Sequence, residues 1–415
     1  MFDQIKIQKQ YRNLIENDFM MFWEKAFDTQ HGGIYTCYSN DGSKQLSNDK
    51  YVWSQGRMLW ILSRLCEMHD RQIVRIDQRG YEVQADKTYQ FIRDHALLQK
   101  GGVCAYLLSQ SGEKKESIPG KGFYTSYFVD CFVIMGFMEY GRVFGHREPV
   151  ETALKIYDKM MDYLKRGDIR SEPYPVKSEM KAHSLPMILC NVCDVSIGAL
   201  RRFEHPRTKE FEDAGKLYAN DVLTKFYDPK IGLIREMITD VPEYQDSILT
   251  RHIAPGHALE DMWFCMNMVG KNPELEERIY TIVKNSMAIG WDEQYGGLYR
   301  FVDRNGGIPH GKTLNDPYEK LLVDTWDTKL WWVHSEALYI TLRSFIQTQD
   351  ETFLKLYQKL EDYVFSVFPN PNREIGEWIQ ILARDGKPLN KVVALPVKDP
   401  YHILRNSMLI LELFA

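Results

Sequence analysis

A glycine segment that returns along the whole chain constrains the fold more than any other feature. It runs Gly, then apolar or aromatic residues, then a polar turn. The copies read HGGIYTCYSNDG at Gly33, KGGVCAYLLSQSG at Gly102, KIGLIREMITD at Gly232, YGGLYRFVDRNGG at Gly297 and EIGEWIQILARDG at Gly376. The gaps between these glycines are 69, 130, 65 and 79 residues. Because 130 is twice 65, a degenerate copy belongs near Gly167, where RGDIRSEPYP stands. Six units result, and recurrence at a fixed period is the mark of a repeat architecture.

Between the glycine segments lie amphipathic stretches, for example residues 51–68 (YVWSQGRMLWILSRLCEM), 126–144 and 331–347. Their apolar residues recur at steps of three and four and each stretch exceeds strand length, so they are predicted helices. Two helices per unit and a Gly-rich β-ribbon at one rim predict an all-α (α/α)6 toroid of about twelve helices. Closure of the ring buries the inner faces against one another, so residues 1–415 are expected to form a single domain, although that length would ordinarily suggest two or three. An open tetratricopeptide solenoid has a period of about 34 residues, too short for this spacing.

Lys plus Arg total 52 and Asp plus Glu total 57, a net charge of −5 with no basic cluster, which argues against nucleic-acid binding. The opening residues MFDQIKIQKQYRNLIEN carry charge throughout, and the longest apolar run, Cys131 to Met138, is too short to cross a bilayer. No membrane association and a cytoplasmic location are expected. Seven cysteines fit a reducing compartment. Cys190 and Cys193 form a lone CxxC in an apolar run and are read as buried thiols, because a structural zinc site wants four ligands. Phosphate-loop, GxSxG and GxGxxG motifs are absent.

His31, His69, His95, His146, His205 and His310 stand beside charged or turn residues and are expected at the surface. His257, in RHIAPGHALEDMW, follows Pro255 and Gly256 and falls in the first turn of a helix, with Glu260 one turn on along the same face. His334 and Glu336 lie in KLWWVHSEAL behind Lys329 and Trp331, and His402 opens the last helix in VKDPYHILRNSML. Arg57 sits inside an otherwise apolar helix, where a charge is costly unless paired or used. It reads as half of a long-range ion pair or as a partner for an anion or oxyanion.

The chain resembles the N-acylglucosamine 2-epimerases (renin-binding proteins) with the related aldose isomerases and disaccharide 2-epimerases. The resemblance rests on GGIYTCYSNDG followed by KYVWSQGRMLW, then SYFVDCF, APGHALEDMW, KLWWVHSEAL, GEWIQILARDGKPL and PYHILR in that order. It implies an (α/α)6 barrel, metal-independent chemistry and catalysis by two histidines. These map onto His257 and His402, with Arg57 and Glu260 completing the catalytic set. Trp53, His183, Lys329, Trp331, His334 and Glu336 are candidates for sugar binding. Many members approach the final histidine through a Gly- and Lys-rich segment, and some are activated by ATP. Here the approach is KVVALPVKDPYH, a departure that bears on both the acyl-amino preference and ATP, and no cofactor is expected. The expected partner is a small sugar, and a homodimer is the expected assembly.

Inverting carbon 2 of an aldose requires ring opening and removal of a weakly acidic proton beside the aldehyde. A histidine titrates near the working pH and suits that task, and a fixed cation suits the charge that develops on oxygen. Return of the proton to carbon 1 instead would make a ketose. Two rival readings stand beside this one. A glycoside hydrolase would need two carboxylates from among Asp130, Glu260, Glu336 and Glu377. A binding protein would need none of this chemistry.

Overall fold

The computed structural model describes residues 2–99, 102–392 and 396–415. The start of the second glycine segment (100 and 101) and part of the approach to His402 (393–395) lie outside the described residues. Among the described residues, twelve helices of ten residues or more alternate between an outer and an inner ring: α1 (Gln4–Asn13), α2 (Val52–Asp70), α3 (Gln78–Phe91), α4 (Tyr127–Phe144), α5 (Arg147–Lys165), α6 (Ser184–Arg202), α7 (Thr208–Asp221), α8 (Pro255–Met268), α9 (Pro273–Gly290), α10 (Trp331–Thr348), α11 (Glu351–Val367) and α12 (Tyr401–Glu412).

The even-numbered helices form the inner ring. Each packs on the next, and α12 packs on α2 to close it. Five outer helices follow their inner partners in sequence, whereas α1 packs on α12, so the two ends of the chain make the sixth hairpin. Composition follows position. Inner α4 is buried on nearly every side, while outer α5 buries one stripe, Val150, Ala153, Leu154, Tyr157 and Met160, at helical spacing. The inner helix α6 is long and apolar enough to suit a membrane span, but most of it is buried within the barrel. Helices α2 and α4 come into backbone contact at Gly56 and Gly136: a Cβ at Gly136 would meet the Gly56 carbonyl at 2.4 Å.

The rim is stitched from unit to unit. Lys50–Tyr51, Lys181–Ala182, His252–Ile253 and Lys329–Leu330 run into inner helices. Each pairs antiparallel with a strand that follows a later glycine, at Leu107–Leu108, Met237–Ile238, Val302–Asp303 and Ile381–Leu382 respectively. A Ser126–Ser171 bridge makes the fifth stitch, and the bond from Lys398 N–H to the Thr36 carbonyl makes the sixth. The turns need glycine: Gly33, Gly167, Gly232, Gly297 and Gly376 all have φ between 65° and 89°, a region that side chains disfavour. Because each extended pair leads straight into an inner helix, the first turns of all six inner helices face one mouth.

Candidate active site

Those first turns enclose a cavity of about 210 Å³. Trp53, Ser54 and Arg57 of α2, Phe128 and Phe132 of α4, Ser184 of α6, His257 and Glu260 of α8, Trp331 and Trp332 of α10 and His402 and Arg405 of α12 all border it. None of the six inner helices has its first turn capped by its own N-cap side chain, although at α12 the preceding Asp399 accepts the Tyr401 N–H. The positive ends of six helix dipoles are thus gathered at one mouth, a setting that favours negative charge.

His257 and His402 both border the cavity and both lie against the ring of Trp332. The indole centroid lies 5.2 Å from the His257 ring and 5.6 Å from the His402 ring. Each imidazole donates Nδ1–H to a buried carboxylate at 2.7 Å, His257 to Glu236 and His402 to Glu336. With Nδ1 held in this way, Nε2 of each ring is the atom left to take up or give a proton. Burial alone would depress the His257 pKa, but the charge of Glu236, the bond to it and the nearby Glu260 raise it above its ordinary value.

Behind each histidine lies a charge network. His183 is fully buried, bonds Asp261 at 2.6 Å and stands 3.5 Å from the second oxygen of Glu236. Burial opposes its charge, yet Asp261 and Glu236 together push its pKa up to about 10. Burial would raise Glu236 as well, but His257 and His183 hold it well below the carboxylate range. On the other side, Arg405 donates to Glu260 at 2.5 Å and to Glu336 at 2.6 Å, while Trp263 bonds the far oxygen of Glu336 at 2.9 Å. Ligand atoms of Glu260, Glu336 and His402 lie within 4.8 Å of one another, as a metal would require, but Arg405 already bonds both carboxylates there.

Several candidates from the sequence sit elsewhere. Glu260 borders the cavity but faces Arg405; Glu236 is the acid that touches His257. His183 and Glu336 do not border the cavity and act behind the two histidines. Lys329 is fully buried and bonds Asp292 at 3.1 Å, as Lys50 bonds Asp28 at 2.7 Å two residues before α2. It therefore holds a glycine turn at a repeated position rather than facing a ligand. His334 bonds the Leu298 N–H at 2.8 Å and the Leu330 carbonyl at 2.7 Å, away from the cavity. Asp130, three residues into α4 as His334 is into α10, accepts the Cys104 N–H at 2.7 Å. Glu377 is buried against Lys398 and Gln380. Of the four carboxylates named from the sequence for a hydrolase, Glu260 alone borders the cavity, beside Glu236 and Asp399.

Arg57 is half of a long-range ion pair, the first of its two readings. It borders the cavity and forms a buried ion pair with Asp399. The six histidines expected at the surface are exposed or half-buried, and Cys190 and Cys193 are free, buried thiols. Glu236, Asp399, Arg405 and Trp332 were not singled out from the sequence. Arg405 had a signal, one turn after His402. Glu236 had none, since the other glycine segments place Cys37, Phe301 and Gln380 at the same offset.

Residues 32–406 match the family described as N-acylglucosamine 2-epimerase (GlcNAc 2-epimerase). The N-acylglucosamine 2-epimerase of Bos taurus is 27% identical over 395 residues, covering 92% of this chain and 86% of its own. The cellobiose 2-epimerase of Dictyoglomus turgidum is 22% identical, covering 94% of each chain. Among solved structures, cellobiose 2-epimerase from Bacillus thermoamylovorans superposes with a TM-score of 0.75 at 18% identity, over 98% of this chain and 99% of that one. A D-mannose isomerase superposes at 0.73 and 17%, over 99% and 98%. The fold is an (α/α)6 barrel, and the chain belongs to the N-acylglucosamine 2-epimerase family.

Proposed function

We propose that the protein inverts carbon 2 of an aldose of the N-acetylglucosamine and N-acetylmannosamine type, by proton removal on one face and proton return on the other. The observation that carries this reading is that His257 and His402, each backed by a carboxylate on Nδ1, border one cavity. The sugar ring opens, and Nε2 of one histidine takes the carbon 2 proton. The C–H electrons form the C1–C2 double bond, and the carbonyl electrons move to oxygen 1. Arg57, a cation that borders the cavity, stabilises that oxygen. The second histidine, which enters the step as the imidazolium, delivers its Nε2 proton to the opposite face and is left neutral; the double-bond electrons take the proton up, and the aldehyde re-forms with carbon 2 inverted. The roles exchange in the reverse direction.

A cavity of about 210 Å³ lies below the usual range of about 300–1,000 Å³ for ligand sites and suits a monosaccharide better than a disaccharide. Aromatic walls from Trp53, Phe128, Phe132, Phe301 and Tyr318 suit the apolar face of a sugar and an acyl group. Arg405 supplies, between Glu260 and Glu336, the positive charge that a metal would otherwise bring, in keeping with metal-independent chemistry. All seven cysteines are free and buried, which suits a reducing cytoplasm.

Proton NMR of N-acetylmannosamine, mannose, glucose and cellobiose, each incubated with the enzyme, tests the assignment. The N-acetyl sugar is expected to give its 2-epimer. A ketose product would place the same histidines in an aldose–ketose isomerase, and a 2-epimer from cellobiose alone would make the substrate a disaccharide.

A further inference from the structure

We propose that Asp399 is a positioning residue that sets Arg57 against the reacting oxygen and ties it to the helix carrying His402; the inference rests on the epimerase reading above. One carboxylate performs both tasks. Its Oδ2 accepts from Nη1 of Arg57, and its Oδ1 accepts the Tyr401 N–H at 2.7 Å in the first turn of α12, one residue before His402. Asp399 also borders the cavity.

The backbone that carries this carboxylate is itself held on two further sides. Its backbone N–H donates to Gln380 at 2.9 Å, its carbonyl accepts from Gln380 at 3.0 Å, and Gln380 is bonded to buried Glu377 at 2.7 Å. The preceding Lys398 donates to the carbonyls of Asn40 at 2.7 Å and Trp378 at 2.8 Å. Asp399 is thus fixed before Arg57 meets it.

Aromatic rings restrict what remains of Arg57's freedom. Its guanidinium carbon lies 3.9 Å from the Phe132 centroid, 4.6 Å from that of Trp53 and 5.0 Å from that of Tyr401. Among the described residues, Nη1 is the guanidinium nitrogen with a hydrogen-bond partner, and Nε is buried without one. The pairing therefore leaves donor capacity on a cation that cannot turn. A donor aimed in advance at the site of developing charge is worth far more than one that must reorganise, and a misplacement of about 1 Å can cost 10²-fold in rate. Asp399 also gives the buried guanidinium the partner it needs.

The test is a double-mutant cycle read as kcat for exchange of the carbon 2 proton with solvent, using Asp399→Ser, Arg57→Met and the double variant. Serine retains a side-chain acceptor for the Tyr401 N–H but removes the partner of Arg57. The expected loss for Asp399→Ser is about 10²-fold in kcat with KM nearly unchanged, and the double variant is no slower than Arg57→Met alone. Asp399→Asn, isosteric with the native residue, provides the same comparison if the serine variant does not fold. Losses that multiply in the double variant, or a wild-type rate for Asp399→Ser, would overturn the positioning role and leave the epimerase reading intact. Absence of carbon 2 exchange in the wild-type protein would overturn both.

Discussion

His334 and Gln55 occupy the same repeat position, three residues into α10 and α2, and make the same kind of bond. Gln55 accepts the Ile34 N–H at 2.7 Å and donates to the Ile34 carbonyl at 3.0 Å; His334 accepts the Leu298 N–H and donates to the Leu330 carbonyl. Both pin the residue that follows a glycine turn to the inner helix beneath it. Burial pushes the His334 pKa down to about 3, so the ring remains neutral.

His334→Gln is therefore expected to retain activity and most of its stability, because Gln55 already performs this task with an amide. His334→Leu leaves the buried Leu298 N–H unpaired and should lose roughly 1–3 kcal/mol in urea unfolding. A glutamine variant with an intact fold and no turnover would return His334 to the chemistry.

Glu236→Gln should shift the pH profile in a defined direction. In the direction in which His257 is the base it must be neutral, and Glu236 stabilises its protonated form, so the acid limb of kcat/KM in the wild type is expected at higher pH than an ordinary histidine would give. With the carboxylate removed, burial dominates and the limb moves to lower pH, while kcat falls because the ring is less firmly held. An unmoved limb would detach Glu236 from His257. Linkage gives the matching stability trend: the raised pKa of His257 stabilises the fold fully below its unfolded value, and that contribution fades as pH rises through the folded value.

Arg405→Met should leave Glu260 and Glu336 buried side by side without their cation. Breaking a buried pair in this way costs about 3–5 kcal/mol, read as a lowered unfolding midpoint in denaturant. In the wild type, exhaustive EDTA treatment is expected to leave turnover unchanged, since Arg405 lies between the carboxylates that a metal would need. Loss of activity on chelation, restored by a divalent ion, would contradict that assignment.

Six-fold closure was legible because glycine turns and helical stripes are local patterns that recur along the chain. His257, His402 and Arg57 were legible because each stands at a helix entrance or inside an apolar run. Glu236 was not, since it reaches His257 across a distance of 21 residues, and neither a loop carboxylate nor its offset from Gly232 distinguishes it. Lys329 and His334 look functional in KLWWVHSEAL because buried polar residues beside two tryptophans suggest a ligand. Comparison with Lys50 and Gln55 in the first unit reveals their structural role, and that comparison needs the register of the repeat, which only the folded ring supplies. Glu336 was found beside the site, though its work is done one layer behind it.

The central claim is that two histidines act on opposite faces of one carbon, and the most direct measurement follows deuterium from heavy water into carbon 2 for the wild type, His257→Asn and His402→Asn. The wild-type product is expected to carry deuterium at carbon 2. Each folded single variant should lose inversion while still exchanging the proton of the one epimer that faces its remaining histidine. Inversion at a near wild-type rate in either variant, or a wild-type product without deuterium, would contradict it.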